Sequence, residues 1–308
     1  MKLPFYRNKI TLPIFTFALL LFASCSNDND PPITINDSFI RIPDIHFETK
    51  LIEQGIDSDG IVNQQILKTD AEKVEVLDLN LDTNSGEIAD LTGIEGFINL
   101  TLLSASNQEL VEVDLSSNIL LDSLYLLGNR ISSIDFSNNP NLIFIDIQSN
   151  QFSSSDSIIG LSNASKLKDL DISWNYLKEF SPYNESLEVL HISHNDLTTI
   201  DTDGAINLKH VYMPSNKLVT VDFSTNISLE TLLVAGNKIQ HINLENNTNL
   251  THLYISGNSL TSLDVSNNLE LVDLRVNINP ELTCIKIHNG QNPYTIKSDY
   301  QELNTACN

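Results

Sequence analysis

The sequence predicts a repeat solenoid with 21-residue coils and one parallel strand per coil, on three observations. Residues 216–278 divide into three copies, NKLVTVDFSTNISLETLLVAG, NKIQHINLENNTNLTHLYISG and NSLTSLDVSNNLELVDLRVNI. Apolar residues recur at fixed offsets: Leu218, Val221, Phe223, Leu229, Leu232 and Val234 in the first copy, then Ile239, Ile242, Leu244, Leu250, Leu253 and Ile255 in the second. Asparagine opens each copy (Asn216, Asn237, Asn258) and returns within it (Asn226, Asn247, Asn268). A fixed period of this length is the signature of stacked supersecondary units.

Each residue type has a physical reason for its place. One coil is too short to bury its own apolar side chains, so coils must stack and share a core. Leu232 and Val234, with Leu253 and Ile255 a coil later, alternate at period two and mark the inner face of a strand. Stacked strands lie about 4.7–4.9 Å apart, so equivalent residues form columns. After each strand the chain turns in a buried bend whose backbone groups have no strand partner. An asparagine amide offers both donors and an acceptor to them, which accounts for asparagine at the corner.

The chain has 308 residues and a formal charge of −23. Repeat arrays escape the usual length prior on domain number. Binding phosphates needs clustered Lys and Arg, so the acidity argues against nucleic acid and bare anionic membrane as partners. It suits a soluble, exposed surface.

Residues 1–24 read as a signal peptide. Lys2, Arg7 and Lys9 form a basic start, and an apolar run too short for a permanent membrane span follows. The run ends in Phe22-Ala23-Ser24-Cys25, which resembles the lipobox of bacterial lipoproteins. That resemblance implies cleavage before Cys25 and lipid on its sulfur, a membrane anchor once more than one acyl chain is attached. Removing residues 1–24 takes three of the 17 basic residues and none of the 40 acids, so 14 − 40 gives −26. Residues 25–37 are polar, acidic and proline-containing, and read as a flexible tether. Their acidity resembles the surface-export signal of Bacteroidetes lipoproteins, which implies an outer-membrane location exposed at the cell surface.

Residues 38–99 break the period and are expected to form a helical N-terminal cap. Asp44 after Pro43 can cap a helix that carries Phe47 and Leu51 on one face. Asp57-Ser58-Asp59-Gly60 invites a calcium-loop reading, but glycine falls fourth rather than sixth and Ile61 takes a ligand place, so a turn is expected. Val76 to Leu79 begins the first strand, and Leu91-Thr92-Gly93-Ile94-Glu95-Gly96-Phe97 leads into the array.

The array occupies residues 100–281, with nine coils opening at Leu100, Leu121, Leu142, Leu167, Leu187, Leu208, Leu229, Leu250 and Leu271. The longest coil holds Ser153 to Ser157, expected to bulge from one edge. Pro182 should end any strand at Phe180-Ser181. The first coil carries Gln108 at its corner instead of asparagine.

Leu260, Leu263-Asp264-Val265-Ser266 and Asn268 match the half-repeat Leu-x-x-Leu-Asp-Leu-Ser-x-Asn. With the preceding Leu-x-x-Leu-x-Val/Ile-x-x-Asn halves, the array resembles the leucine-rich repeats of bacterial surface proteins, broadly internalin-like and nearest the Bacteroidetes type. The resemblance covers about residues 40–308. It implies a binding protein of macromolecules without enzymatic activity.

Residues 282–308 read as a C-terminal cap. In an exported chain, Cys284 and Cys307 are the two thiols left once Cys25 is set aside, and a disulfide is their natural pairing.

Partner contact is expected on the open strand face. One outward column reads Ser104, Tyr125, Asp146, Asp171, His191, Tyr212, Leu233, Tyr254, Arg275. The column two residues earlier reads Leu102, Ser123, Phe144, Asp169, Val189, His210, Thr231, His252, Asp273. Trp174 and His194 precede the corners Asn175 and Asn195. The candidate partner-binding residues are therefore Tyr125, Asp146, Asp169, Asp171, Trp174, His191, His210, Tyr212, His252 and Tyr254. Aromatic side chains with polar tips give large contact area at small entropic cost. The alternative is that Tyr and His merely tolerate a solvated strand.

Zinc on His191, His210 and Asp171 lacks a tight ligand spacing, and a carboxylate-pair hydrolase built on Asp146, Asp169 and Asp171 lacks a cleft. No P-loop, nucleophile elbow, HExxH or dinucleotide fingerprint occurs. No cofactor and no metal is expected. An outward acid column on the other half-repeat (Asp114, Asp135, Asp201, Asp222, Asp264) could recruit calcium or bond to the serine two places on. The sequence reading is a surface lipoprotein that recognises a protein, with glycan capture as the alternative.

Overall fold

The computed structural model describes residues 38–81 and 86–307. The signal segment, the Cys25 lipidation site and the tether lie outside the described residues.

Eleven parallel strands stack in chain order into one long sheet, from Val76–Asp78 to Tyr294–Ile296. The pairing register links equivalent residues of successive coils, as in Tyr125↔Asp146↔Asp171↔His191↔Tyr212. The middle residue of each three-residue strand points inward. Leu103, Leu124, Ile145, Leu170, Leu190, Val211, Leu232, Leu253 and Leu274 all have zero exposure and run through a single continuous core. The solenoid with a parallel strand per coil is as the period predicts. The sheet extends one strand beyond the periodic sequence at each end. At the C-terminal end Thr295 replaces the usual inward leucine and Gln301 the corner asparagine, which hides that coil from a pattern of leucines.

The corners explain why asparagine is required. Asn237 Nδ2 donates to the Met213 carbonyl of the preceding coil and to the Val234 carbonyl of its own, both at 3.1 Å, while its Oδ1 accepts from Leu218 N at 3.1 Å. Asn258 repeats the set with Val234, Ile255 and Ile239. The same three-way bonding recurs at Asn129, Asn150, Asn175, Asn195, Asn216 and Asn279. Glutamine takes over at the ends: Gln108 bonds Leu79 O and Ile88 N, and Gln301 bonds Val276 O and Ser298 N. A second ladder (Asn118, Asn139, Asn184, Asn226, Asn247, Asn268) donates to carbonyls of the coil before. Four of its buried Oδ1 atoms, those of Asn118, Asn139, Asn247 and Asn268, have no partner.

The half of each coil opposite the long sheet carries fewer strands, three of which (Leu263–Asp264, Cys284–Lys286 and Glu302–Asn304) pair at the C-terminal end. Ile134–Asp135 pairs with Ile158–Ile159, and Glu179–Phe180 with Thr199–Ile200. The Ser153–Ser157 stretch contains a 3-10 turn at Ser155–Ser157, and the strand at Phe180 stops before Pro182. Here the acid column bonds locally: Asp114, Asp135, Asp222 and Asp264 each accept from the backbone N–H of the serine two places on, at 2.8–2.9 Å, and Asp201 accepts from Asp203 N at 3.0 Å.

Both ends of the core are covered. A helix at Ile45–Glu53 is capped by Asp44, whose Oδ1 accepts from His46 N and Phe47 N while Oδ2 accepts from Ala89 N and Asp90 N. Phe47 and Leu51 are fully buried, with Phe47 against Phe97 at 6.2 Å between ring centroids. Residues 57–60 form a turn. At the other end Cys284 and Cys307 form a disulfide with Cα atoms 5.7 Å apart. Closing a loop of that length stabilises by about 3 kcal/mol in the chain-entropy model.

Asn237→Ala is expected to destabilise the chain by about 2–4 kcal/mol, because it strands Leu218 N–H and Met213 C=O in the core. Urea unfolding measures it. The exposed Asn246→Ala, which removes one surface bond to Ser224 O, should change stability by less than about 1 kcal/mol.

Candidate functional site

The outward residues of the long sheet form two adjacent columns, flanked by a third at the start of each bend. All ten sequence-predicted contact residues lie on this face or at its bend, and the sheet register brings most of them side by side. His191 and Tyr212 stack at 4.5 Å with an interplanar angle of 11°. Tyr125 lies against Phe144 at 4.9 Å. Tyr254 meets His252 edge-on at 6.4 Å, and the Arg275 guanidinium sits 4.0 Å from the Tyr254 ring centroid. Tyr254 Oη donates to Asp273 Oδ2 at 2.8 Å, and Arg275 Nη2 donates to the same oxygen at 3.1 Å.

Trp174 stacks on His194 at 3.8 Å and 12°. Both occupy the residue before a corner asparagine, where the backbone is left-handed (φ 58° and 53°). Other coils place Gly128, Gly236 and Gly257 there, and Asn107, Ser149, Ser215 and Ile278 hold the same left-handed backbone. A bulky ring at positive φ costs on the order of 1 kcal/mol or more, and such strain collects where a side chain must be displayed. Trp174 remains 56% exposed.

The carboxylates sit less openly than the pattern suggests. Asp146 is only 7% exposed, and its oxygens accept from Gln148 N at 3.1 Å and Gln148 Nε2 at 3.2 Å. The same amide reaches Asp171 Oδ2 at 3.5 Å. Burial, then the nearby Asp171 charge, pushes the Asp146 carboxyl above its ordinary range, against the lowering effect of those Gln148 bonds. Asp169 is also raised, first by burial and then by Asp171. His191 Nε2, 3.8 Å from Asp169 Oδ1, pulls the other way and does not overcome burial. Asp169 Oδ1 is buried without a hydrogen-bond partner, as is His210 Nδ1. Burial, then Asp169, raises the Tyr212 hydroxyl.

An ion-pair row borders the strip. Glu188 is gripped at 2.7 Å by both Lys168 and Lys209, whose hydrogen bonds lower its carboxyl to about 2. Among the described residues no group of three or more His, Cys, Asp or Glu is placed to hold a metal ion, and no helix is long and apolar enough to cross a membrane. Sequence reasoning did not single out Gln148, which bridges two acids, or the Asp273–Arg275 pair around Tyr254. Their signal was available in the column positions, since Gln148 sits two residues after Asp146 and the sheet register pairs Asp273 and Arg275 with His252 and Tyr254.

Asp169 shows the sign of its raised carboxyl in stability. A folded-state value above the unfolded one penalises the folded chain once pH exceeds both, and the penalty vanishes below the unfolded value near 3.8. Asp169→Asn should therefore stabilise the chain at pH 7, by less than about 1 kcal/mol for a side chain about one-third exposed. The gain should fade as pH falls toward 4, read from urea midpoints.

The repeat pattern matches the Leucine Rich Repeat family model over residues 249–271. Fibromodulin of Mus musculus is 29% identical over 128 residues, 33% of this chain and 34% of that protein. The chain thus spans about a third of that relative's length. Among solved structures, the functional domain of InlJ from Listeria monocytogenes, which includes a cysteine ladder, superposes with a TM-score of 0.69 at 23% identity. That superposition covers 84% of this chain and 61% of InlJ. The LRIM1/APL1C complex gives 0.55 at 25% identity over 74% of this chain and 41% of its counterpart. Coil length, strand register, asparagine corners and these likenesses agree: the chain folds as a leucine-rich repeat solenoid.

Proposed function

We propose that the chain is a surface-anchored binding module that recognises a protein through the open face of its long sheet. The observation that carries this reading is the set of stacked pairs, the rings His191–Tyr212 and Trp174–His194 and the Arg275 guanidinium over Tyr254, held partly exposed along one face. Amphipathic rings already ordered by stacking lose little entropy on contact and gain large buried area. Leucine-rich repeat folds typically serve protein–protein recognition, and one structural neighbour is itself a two-protein complex. The acidic charge turns nucleic acid away.

Anchoring is part of the same proposal. Cys25 carries lipid after removal of residues 1–24, and residues 25–37 hold the solenoid off an outer membrane. Radiolabelled palmitate should enter the wild-type chain, and labelling that persists in Cys25→Ser would sink this part.

A glycan is the second reading, and the flat Trp174–His194 stack favours it, since an exposed ring face suits the apolar face of a sugar.

The deciding experiment sets pull-down from surface extracts beside a glycan array. A specific protein should be captured, and Tyr212→Ala/Tyr254→Ala should weaken that capture at least about tenfold while melting temperature holds. Unchanged capture by the double variant would contradict recognition through this face. Array binding lost on Trp174→Ala, with no protein captured, would favour the glycan.

A further inference from the structure

The open face holds a worked example of what its aspartates accept. Asp273 lies in the same outward column as Asp169, joined by the register Asp169↔Val189↔His210↔Thr231↔His252↔Asp273. At Asp273 the chain supplies its own cation: the guanidinium of Arg275, two residues on, lies over the Tyr254 ring and bonds the carboxylate. At Asp169 the residue two places on is Asp171, and the neighbouring rings are His191 and Tyr212. Ring and carboxylate are there without the arginine.

We propose that this part of the face takes an arginine side chain from a basic protein partner, its guanidinium against Asp169 and Asp171 and its plane along the His191–Tyr212 rings. The inference rests on the recognition reading above and names the chemistry of the partner. Three further observations support it. The Asp169 carboxylate is short of donors, with none on Oδ1, while its side chain stays 32% exposed on the open face, so a guanidinium that approaches it supplies N–H groups the chain does not. Lys168 and Lys209, which precede Asp169 and His210, are both committed to Glu188 at 2.7 Å. The whole chain carries −23, so a basic segment is steered toward it at long range. A planar guanidinium with its fork of donors fits two adjacent carboxylates beside ring faces better than an ammonium does.

Fluorescence of Trp174, the only tryptophan, reports from the neighbouring bend. The probe is a short peptide with one central arginine in a glycine–serine background, titrated into the full chain at low salt. Citrulline and lysine versions serve as neutral and point-charge controls. The arginine peptide should bind saturably, severalfold tighter than the lysine peptide, with no saturable response to citrulline. Asp169→Asn and Asp171→Asn, near-isosteric changes, should each weaken it at least about tenfold, and NMR shifts of the Asp169 and Tyr212 amides should move with the titration. Asp222→Asn, on the opposite half of the coil, should leave it unchanged. Equal binding of the citrulline or lysine peptide, or no loss in Asp169→Asn, would overturn the assignment. A chain that captures a protein through Tyr212 and Tyr254 yet ignores the arginine peptide overturns the arginine site alone and leaves recognition by this face standing.

Discussion

The fold depends on corner asparagines whose amides close the backbone of one coil onto the next. A parallel strand of three residues makes few hydrogen bonds of its own, and the bend that follows it is buried. Without the amide, an N–H and two carbonyls per coil would sit in an apolar core unpaired, at about 1–3 kcal/mol each. With it, every strand bend is bonded to its neighbour, and inward residues such as Leu232 and Leu253 stack without exposed edges. In the terminal coils Gln108 and Gln301 reach back to a carbonyl of the coil before in place of asparagine. The helix at one end and the disulfide at the other then cover the two open ends of the core.

A rigid spine leaves the outward columns free to depart from what stability alone favours. Trp174 and His194 put large rings on left-handed backbone that glycine or a smaller polar residue holds in most other coils, and Asp146 and Asp169 keep carboxylates in surroundings that penalise their charge. The acids on the other half of the coil are the contrast. Asp114, Asp135 and Asp222 bond the serine two places on, whose side chain and N–H lower their carboxyls below the ordinary range. On the long sheet Asp146 and Asp171 also accept from the N–H two places on, whereas Asp169 Oδ1 has no donor.

Most of this was legible because the period converts sequence offsets into spatial neighbours. Once Leu232 and Leu253 were aligned, the columns through Tyr125, His191, Tyr212 and Tyr254 followed, and the register reproduces them. What stayed hidden depends on side-chain direction within a column. Asp146 and Asp171 occupy equivalent places, yet Gln148 folds over the first and leaves it 7% exposed. The stacking of Trp174 on His194 depends on the 20-residue step between their bends, and the direction of the two rings is not shown by the period. The strand at Tyr294–Ile296 was invisible for a related reason, since it carries neither the inward leucine nor the corner asparagine of its neighbours.

Hydrogen exchange at the corners tests the central claim most directly. The backbone N–H groups of Leu197, Leu218, Ile239 and Leu260, each donated to the asparagine Oδ1 of the following coil, should exchange as slowly as the inward strand amides of Leu232 and Leu253. Their opening should require the cooperative unfolding of several coils, slowing exchange by at least about a thousandfold. Exchange of these four amides at the rate of the exposed turn at Gly290, while the strand amides stay protected, would show that the coils are held together by something other than the asparagine bonds.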